Sequence, residues 1–168
     1  MNTWRALNFK LNKEILHELF NYCDGVLYWK IRPNNRIKEG SKAGAVDNTG
    51  YIKIGIGGKV FCAHRLIYLM FYGWMPEEVD HKDLIRSNNR IENLRDATSA
   101  QNKRNTSMRN DNTSGIKGVS WVKSSSKWRV QVRHKSQCFS ANFDDLELAE
   151  LVAIEARNKF HGEFARHN

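Results

Sequence analysis

The stretch VDHKDLIRSNNRIENLRDATSAQN, residues 79–102, places an acid beside a histidine and follows them with a series of amide side chains. Asp80 and His81 are adjacent, Asn93 stands thirteen positions after Asp80, and Asn102 stands nine positions after Asn93. The chain as a whole carries an excess of basic residues, so this combination of carboxylate, imidazole and amides differs from its background. The stretch is therefore the first candidate for a functional site.

The same stretch predicts a local fold. EEVDH predicts a short strand, KDLIRSNNR a polar loop, and IENLRDA a second strand that returns beside the first. TSAQNKRN has the composition of a helix start. The stretch thus predicts a β-hairpin followed by a helix, an order that can bring residues from its two ends together.

The residue types suit phosphodiester hydrolysis, which needs a base for water, positive charge near the phosphate, and stabilisation of the departing oxygen. A neutral imidazole is a base of suitable strength near pH 7. Mg²⁺ prefers oxygen ligands and keeps positions for water and phosphate. Asp80 and an Asn side-chain carbonyl are oxygen ligands of this kind, and His81 is the adjacent base.

At these intervals the stretch resembles the HNH nuclease motif of the ββα-metal fold, in the variant whose last histidine is replaced by asparagine. Within that family, the stretch resembles phage and intron-encoded homing endonucleases. The resemblance implies that Asp80 binds the metal, that His81 is the general base and that Asn93 fastens the hairpin loop. It also implies that Asn102 is the second metal ligand, and that the cofactor is one divalent cation per site, Mg²⁺ or Mn²⁺.

The resemblance extends upstream and covers roughly residues 15–105. AHRLIYLMFYGWMPEEVDH resembles the family's helix with its His-Arg-Leu start, followed by Gly and Pro. His64, in this segment, is predicted either to touch a DNA phosphate or to cap and pack its own helix. Arg65 is predicted to contact DNA rather than to form only a surface salt bridge.

The overall composition favours a polyanionic partner. The 168-residue chain has 27 Lys and Arg against 18 Asp and Glu, a formal charge of +9, which favours nucleic acid or an anionic membrane surface. Its longest apolar run, LIYLMFYGWM, is far shorter than the roughly 20 residues that span a bilayer, and its first residues lack the apolar core of a secretory signal. We therefore expect double-stranded DNA as partner, no membrane, no obligatory protein partner, and a cytoplasmic location, in the bacterial host if the chain is phage-encoded.

Hydrophobic spacing predicts the other elements of the first half. LNKEILHELF and AHRLIYLMFY predict helices, the second ending at Gly73, while GVLYWKI and GYIKIGIGGKVF predict antiparallel strands. Trp29 and Trp74 are predicted to be core residues. The three cysteines lack a Cys-x-x-Cys pair and are predicted to be buried reduced thiols.

A polar segment predicts a domain boundary. NKRNTSMRNDNTSG is poor in apolar residues and rich in Asn, Ser, Thr and basic side chains, as an exposed connector is. We place a linker at residues 106–113, between a first domain at residues 1–105 and a second at residues 114–168.

The second predicted domain is a sheet with one cationic face. From Lys117 to Lys135 there are six Lys or Arg residues and no acid. In KWRVQVR the apolar Trp128 and the two valines alternate with Arg129, Gln131 and Arg133, so one face packs and the other is cationic. A sheet of this kind can enter the DNA major groove.

Residues 114–168, SGIKGVSWVKSSSKWRVQV through FDDLELAELVAIEARNKFHGEFARHN, resemble the Apetala-two/ERF-type DNA-binding domain. The resemblance implies a three-stranded antiparallel sheet, packed on a helix, that lies in the major groove. It implies DNA contacts at Lys117, Trp121, Arg129 and Arg133. For Trp121, core packing is the alternative.

Together these features predict an α+β chain: a ββα-metal nuclease domain plus a small three-stranded antiparallel sheet packed on a helix. The predicted function is that of a metal-dependent HNH DNA endonuclease, a hydrolase of the homing type that nicks DNA and is targeted by its second domain. The alternative, from a different class, is a sequence-specific DNA-binding regulator with a catalytically inactive HNH fold.

Overall fold

A computed structural model of the chain describes residues 11–104, 108 and 111–167. In this part, helices combine with four small antiparallel sheets, in agreement with the predicted mixture of α and β elements. Within the described residues, no helix is long and apolar enough to cross a membrane. Residues 1–10, which the secretory-signal prediction concerns, lie outside the described part.

Contacts divide the chain into two compact units, Met1–Thr98 and Ser99–Asn168. The predicted domains, residues 1–105 and 114–168, stay a prediction, and part of the predicted linker at 106–113 lies outside the described residues.

The first unit contains two helices and seven strands among its described residues. In chain order they are α1 (Lys13–Leu19), β1 (Phe20–Cys23), β2 (Val26–Trp29), β3 (Ala45–Val46), β4 (Ile52–Ile56), β5 (Lys59–Cys62), α2 (Ala63–Tyr72), β6 (Glu78–His81) and β7 (Leu94–Ala97). β1 pairs with β2, β3 and β5 flank β4, and β6 pairs with β7, all antiparallel.

Local signals explain both helices of this unit. The Asn12 side chain caps α1, because its Oδ1 accepts the Ile15 N–H at 2.9 Å. α2 ends at Gly73, whose φ of 77° is the left-handed conformation that ends many helices. The two helices contact each other and share one apolar core with the strands, in which Leu16 and Ile67 are fully buried.

Two sequence predictions for this unit are wrong. The segment IENLRDA is a strand only from Leu94, because Ile91–Asn93 forms a 3₁₀ turn in which the Asn93 N–H donates to the Arg90 carbonyl at 2.9 Å. Trp74 is 50% exposed rather than core. It follows the end of α2 and lies edge-on to Tyr68 with ring centroids 5.6 Å apart.

The cysteine prediction is correct about pairing and wrong about burial. Cys23, Cys62 and Cys138 are free thiols, but Cys23 and Cys138 are exposed and Cys62 is partly buried. Cys23 ends β1 at a turn, and Cys138 lies on a strand at the edge of its sheet.

The β1–β2 hairpin supports the loop between β6 and β7. Arg90 Nη2, in that loop, lies 2.5 Å from Asp24 Oδ2 in the hairpin turn, and the Ile91 N–H donates to the Tyr22 hydroxyl at 3.0 Å. Gly25 has a φ of +83°, and a Cβ there would lie 2.8 Å from the Arg90 nitrogen. The turn therefore touches the loop closely enough to require glycine.

The second unit is a sheet covered by a helix. Its elements are α3 (Ser99–Arg104), β8 (Val119–Val122), β9 (Lys127–His134), β10 (Gln137–Phe143) and α4 (Leu146–His161). The strands are antiparallel in the order β10-β9-β8. Val130 of β9 packs with Ala149 and Ala153 of α4 in a core where all three are fully buried, as the alternation in the sequence predicts.

We predict that Gly25→Ala destabilises the protein more than Gly58→Ala. Both glycines have positive φ, but a Cβ at Gly58 would meet nothing within 4 Å. Gly58→Ala should therefore lower the free energy of unfolding by about 1–2 kcal/mol, the cost of the left-handed conformation. Gly25→Ala adds a clash with backbone of the β6–β7 loop, about 1–3 kcal/mol more. Urea unfolding measures both, and equal losses would contradict the close contact.

Candidate active site

Asp80 and His81 are the last two residues of β6, and both are buried, with 6% and 4% of their surface exposed. Asp80 pairs across the hairpin with Arg95, and His81 pairs with Leu94. Since successive strand residues point to opposite faces, the two side chains have different neighbours. The end of β6 therefore presents a carboxylate and an imidazole in separate surroundings.

The Asn93 side chain fastens the loop between β6 and β7. Its Nδ2 donates to Asp83 Oδ1 at 2.9 Å and to the Asn88 carbonyl at 2.8 Å. Its Oδ1 accepts the Asp83 N–H at 3.1 Å, and its backbone carbonyl accepts the Lys82 N–H at 2.9 Å. One residue thus joins both ends of the loop to its middle.

Asn89 is the site residue that the sequence did not single out. It is 1% exposed, and its Oδ1 lies 2.9 Å from His81 Nε2. An oxygen in that place favours the tautomer with the proton on Nε2, in which the neutral ring keeps its lone pair on Nδ1. Asn89 therefore holds the orientation of His81 and favours this tautomer. The sequence signal for it was only the excess of amides in the loop, which does not say which of them is buried.

A cluster of rings surrounds His81 on its other side. The His64 ring, in the first turn of α2, lies edge-on to His81 with centroids 4.9 Å apart. Tyr51 lies 5.2 Å from His64 and 6.1 Å from His81 by the same measure. His64 is therefore packed against the predicted base, and its predicted contact with a phosphate stays a prediction.

His64 is neutral at physiological pH. Burial lowers the pKa of His64 to about 3, and the neighbouring groups His81, Arg65 and Lys53 act in the same direction. Its Nδ1 is buried and has no hydrogen-bond partner within the described part of the chain. A neutral ring beside His81 adds no charge that would repel a proton from it.

Asp80 forms a nearly buried ion pair. Arg95 Nε and Nη2 lie 2.9 Å and 2.8 Å from Asp80 Oδ2, and the two side chains are 13% and 6% exposed. The pairing allows the carboxylate to be buried in its ionised form, which burial alone would disfavour. A cation bound at Asp80 would share the carboxylate with Arg95.

The residues fit a metal with few protein ligands better than a closed metal cage. Across the described ranges, no group of three or more His, Cys, Asp or Glu side chains is placed to hold a metal ion. Mg²⁺ needs only one or two carboxylates, because water and substrate phosphate complete its coordination, and Asp80 meets that requirement. Asn102, the other predicted ligand, lies in α3, in the second compact unit.

The predicted DNA contact Arg65 bonds to the backbone of its own unit. Its Nη1 donates to the Glu77 carbonyl at 3.2 Å, and its Nη2 donates to the Pro76 carbonyl at 3.4 Å. Arg65 therefore holds the segment that leads into β6.

The predicted contacts of the second unit have different surroundings. Trp121 is 42% exposed and lies edge-on to the half-buried Trp128, with ring centroids 4.8 Å apart. Arg129 and Arg133 are exposed on β9, opposite its buried valines. Lys117 precedes β8 and is half-buried.

Comparison with known proteins assigns part of the chain. Residues 61–104 match the family of HNH endonucleases. Protein 3.8 of Escherichia phage T7 is 38% identical over 90 residues, an alignment that covers 52% of this chain and 73% of the phage protein. No solved structure matches the chain.

We predict that His64 makes the protein acid-sensitive. Between pH 6.5 and about 3 the unfolded chain binds a proton at His64 that the folded chain does not, so stability falls as the pH falls through this window. Between pH 7 and pH 4, the free energy of unfolding of His64→Gln should fall by on the order of 2–3 kcal/mol less than that of the wild type. Urea unfolding of both proteins at pH 7 and pH 4 measures it, and the same change in the two proteins would contradict the burial of His64.

Proposed function

The chain belongs to the family of phage T7 Protein 3.8 and carries an HNH endonuclease domain at residues 61–104, and from this premise we propose that it is a metal-dependent DNA endonuclease with His81 as its general base. The observation that carries the proposal is the buried His81 ring, held at Nε2 by Asn89, at the position that follows the buried Asp80 on β6. Phosphodiester hydrolysis needs a general base that is held in one orientation and in the protonation state that accepts a proton from water.

His81 would take a proton from the attacking water through Nδ1. The hydrogen bond to Asn89 keeps Nε2 protonated, so the proton from water enters at the other nitrogen. As His81 becomes positively charged, the Asn89 oxygen continues to accept the Nε2 proton and stabilises the charged ring. The neutral His64 at 4.9 Å does not oppose this change of charge.

A divalent cation such as Mg²⁺ or Mn²⁺ would supply positive charge to the phosphate and to the departing oxygen. We propose Asp80 and Asn102 as its ligands from the protein. Arg95 would hold the Asp80 carboxylate in one rotamer. Asn93 would act indirectly, because it shapes the loop and not the phosphate site.

The second unit would bring the nuclease to duplex DNA. We propose a ββα-metal fold for the first unit and an Apetala-two/ERF-type sheet for the second, with DNA contacts at Trp121, Arg129 and Arg133. The support is the exposed face of β9, where two arginines alternate with buried valines. A nick is the natural product, since one such site cuts one strand.

One observation favours the alternative function, a DNA-binding regulator with an inactive nuclease fold. Asp80 is already neutralised by Arg95, as a purely structural carboxylate would be. Such a protein would bind duplex DNA with equal affinity in the presence and absence of divalent metal, and would leave plasmid DNA intact.

We predict that the full chain nicks supercoiled plasmid DNA in the presence of Mg²⁺ or Mn²⁺, and that His81→Ala lowers the rate by about 10²–10⁴, the usual effect of removing a general base. Gel analysis of the plasmid over time measures the rate. Asp80→Ala should lose activity and should also raise the metal concentration needed for half-maximal rate.

His17→Ala serves as the control, because His17 is exposed on α1. It should retain the wild-type rate. A His81→Ala protein that nicks at the wild-type rate would exclude His81 as the base, and the absence of any metal-dependent nicking would leave the regulator as the function.

We predict that Asn89 acts on the rate through His81. Asn89→Ala should lower kcat by about 10–100-fold with little change in KM, since a loosened base is misplaced by a fraction of an ångström. Asn89→Asp should restore ring orientation, and its negative charge should raise the pKa of His81, so the acid limb of the kcat/KM profile moves to higher pH.

Asn88→Ala is the matched control. Asn88 Nδ2 bonds to Asp83 Oδ2 at 2.6 Å in the same loop, so its loss should reduce stability without moving the acid limb. If Asn88→Ala and Asn89→Ala give the same pH profile and the same kcat, Asn89 has no specific role in positioning His81.

A further inference from the structure

A cavity lies in the second unit, where β8 stops and β9 continues. β8 pairs with β9 from Val119 to Val122, opposite Val130 to Lys127, whereas β9 runs on to His134. The last bond along this edge is from the Gln131 N–H to the Gly118 carbonyl, at 2.8 Å. Beyond it, a cavity of about 510 Å³ opens between the edge of β9 and α4.

A buried arginine lines this cavity. Arg157 of α4 is 3% exposed. Its Nη1 donates to the Lys117 carbonyl, and its Nε lies 3.3 Å from His167 Nδ1. Its Nη2 is buried and has no hydrogen-bond partner among the residues that the structure describes. A buried guanidinium without an anionic partner is strongly unfavourable, so this position has an unfilled requirement for an anion.

Other cations line the same cavity. Lys117, before β8, and Arg133, near the end of β9, are both among its lining residues. His161 of α4 also lines the cavity, with its Nε2 3.1 Å from the Arg133 carbonyl. Asp111 is the single carboxylate among the described lining residues. The cavity is therefore strongly positive.

The positive charges act on one another. Burial, together with the charges of Arg166 and Arg157, lowers the pKa of Lys117 to about 8. Burial also lowers the pKa of Arg157, with Glu150 as the nearby charge that opposes the shift. Buried or crowded cations of this kind are stabilised by an anion placed beside them.

We propose that this cavity is a phosphate-binding site, formed by Lys117, Arg133 and Arg157. A phosphate group has oxygen acceptors on several sides and can therefore accept hydrogen bonds from donors on both a strand edge and a helix. Ser120 and Gln131, which also line the cavity, add neutral hydrogen-bonding groups. The site stands apart from cleavage chemistry, and its existence does not depend on nuclease activity.

The phosphate has two sources, a DNA strand or a free phosphate. A strand phosphate would make the cavity an anchor for the DNA backbone beside the sheet, and Lys117 would then contact phosphate rather than a base. A free phosphate would make it a site for a small ligand, one that fills the cavity without duplex DNA.

The first test is thermal unfolding of the full chain in inorganic phosphate against chloride at equal ionic strength, without divalent metal. Phosphate should raise the unfolding temperature of the wild type in a saturable manner. Lys117→Gln and Arg133→Gln should need on the order of tenfold more phosphate, the effect of one lost bond to a charged group. Arg133 is exposed, so its variant folds even if Lys117→Gln does not.

Lys123→Gln is the matched control, because Lys123 is exposed in the turn between β8 and β9 and does not line the cavity. It removes the same charge and should respond to phosphate as the wild type does.

Fluorescence anisotropy of a labelled random-sequence DNA duplex, again without divalent metal, shows whether the bound phosphate belongs to DNA or is a free ion. If the phosphate belongs to DNA, Lys117→Gln should weaken duplex binding more than Lys123→Gln does. It should also reduce, by about one, the steepness with which the logarithm of the binding constant falls against the logarithm of the salt concentration. If it is free, the two variants should bind the duplex equally while only Lys117→Gln loses stabilisation by phosphate. Equal behaviour of Lys117→Gln, Arg133→Gln and Lys123→Gln in both measurements would overturn the proposal.

Discussion

The closure of the β6–β7 loop by the Asn93 amide is the constraint on which the candidate active site depends. Its bonds to Asp83 and Asn88 hold a polar segment that has few apolar residues to bury. Because the loop is closed, Asn89 is carried inward to His81. The β1–β2 hairpin holds the outer side of the same loop through Asp24 and Tyr22, so the loop is fixed from two directions.

The interior that results is polar but carries little net charge. His64 is neutral, and Arg95 neutralises Asp80. In such surroundings a hydrogen bond is stronger than in water, and an unpaired polar group costs about 1–3 kcal/mol. Two buried atoms beside His81, His64 Nδ1 and Asn89 Nδ2, lack hydrogen-bond partners in the described residues. Stability alone does not explain them, whereas a polar ligand that enters the site would.

Much of the fold follows from the sequence because periodicity is a local property. Apolar residues every three or four positions predicted α1 and α2, and alternation in KWRVQVR predicted which residues of β9 are buried. The hairpin and the helix after it also follow, apart from the 3₁₀ turn at Ile91–Asn93.

The site's inner contacts depend on register and depth, which one sequence does not contain. That Asp80 faces Arg95 is decided by how β6 and β7 align. That Asn89 rather than Asn88 is buried is decided by the path of the loop, since the two residues have the same side chain. Trp74 is exposed because α2 ends at Tyr72 and Gly73 turns the chain before Trp74, and hydrophobicity alone does not give the direction of that turn.

The most direct measurement of the central claim is the tautomer of His81, by nitrogen NMR of the labelled imidazole in the metal-free protein at neutral pH. We expect a neutral ring with its proton on Nε2, and a shift of the Nε2 signal in the Asn89→Ala protein. A neutral ring protonated on Nδ1 would contradict it, because Asn89 would then not be the acceptor that prepares His81 as a base.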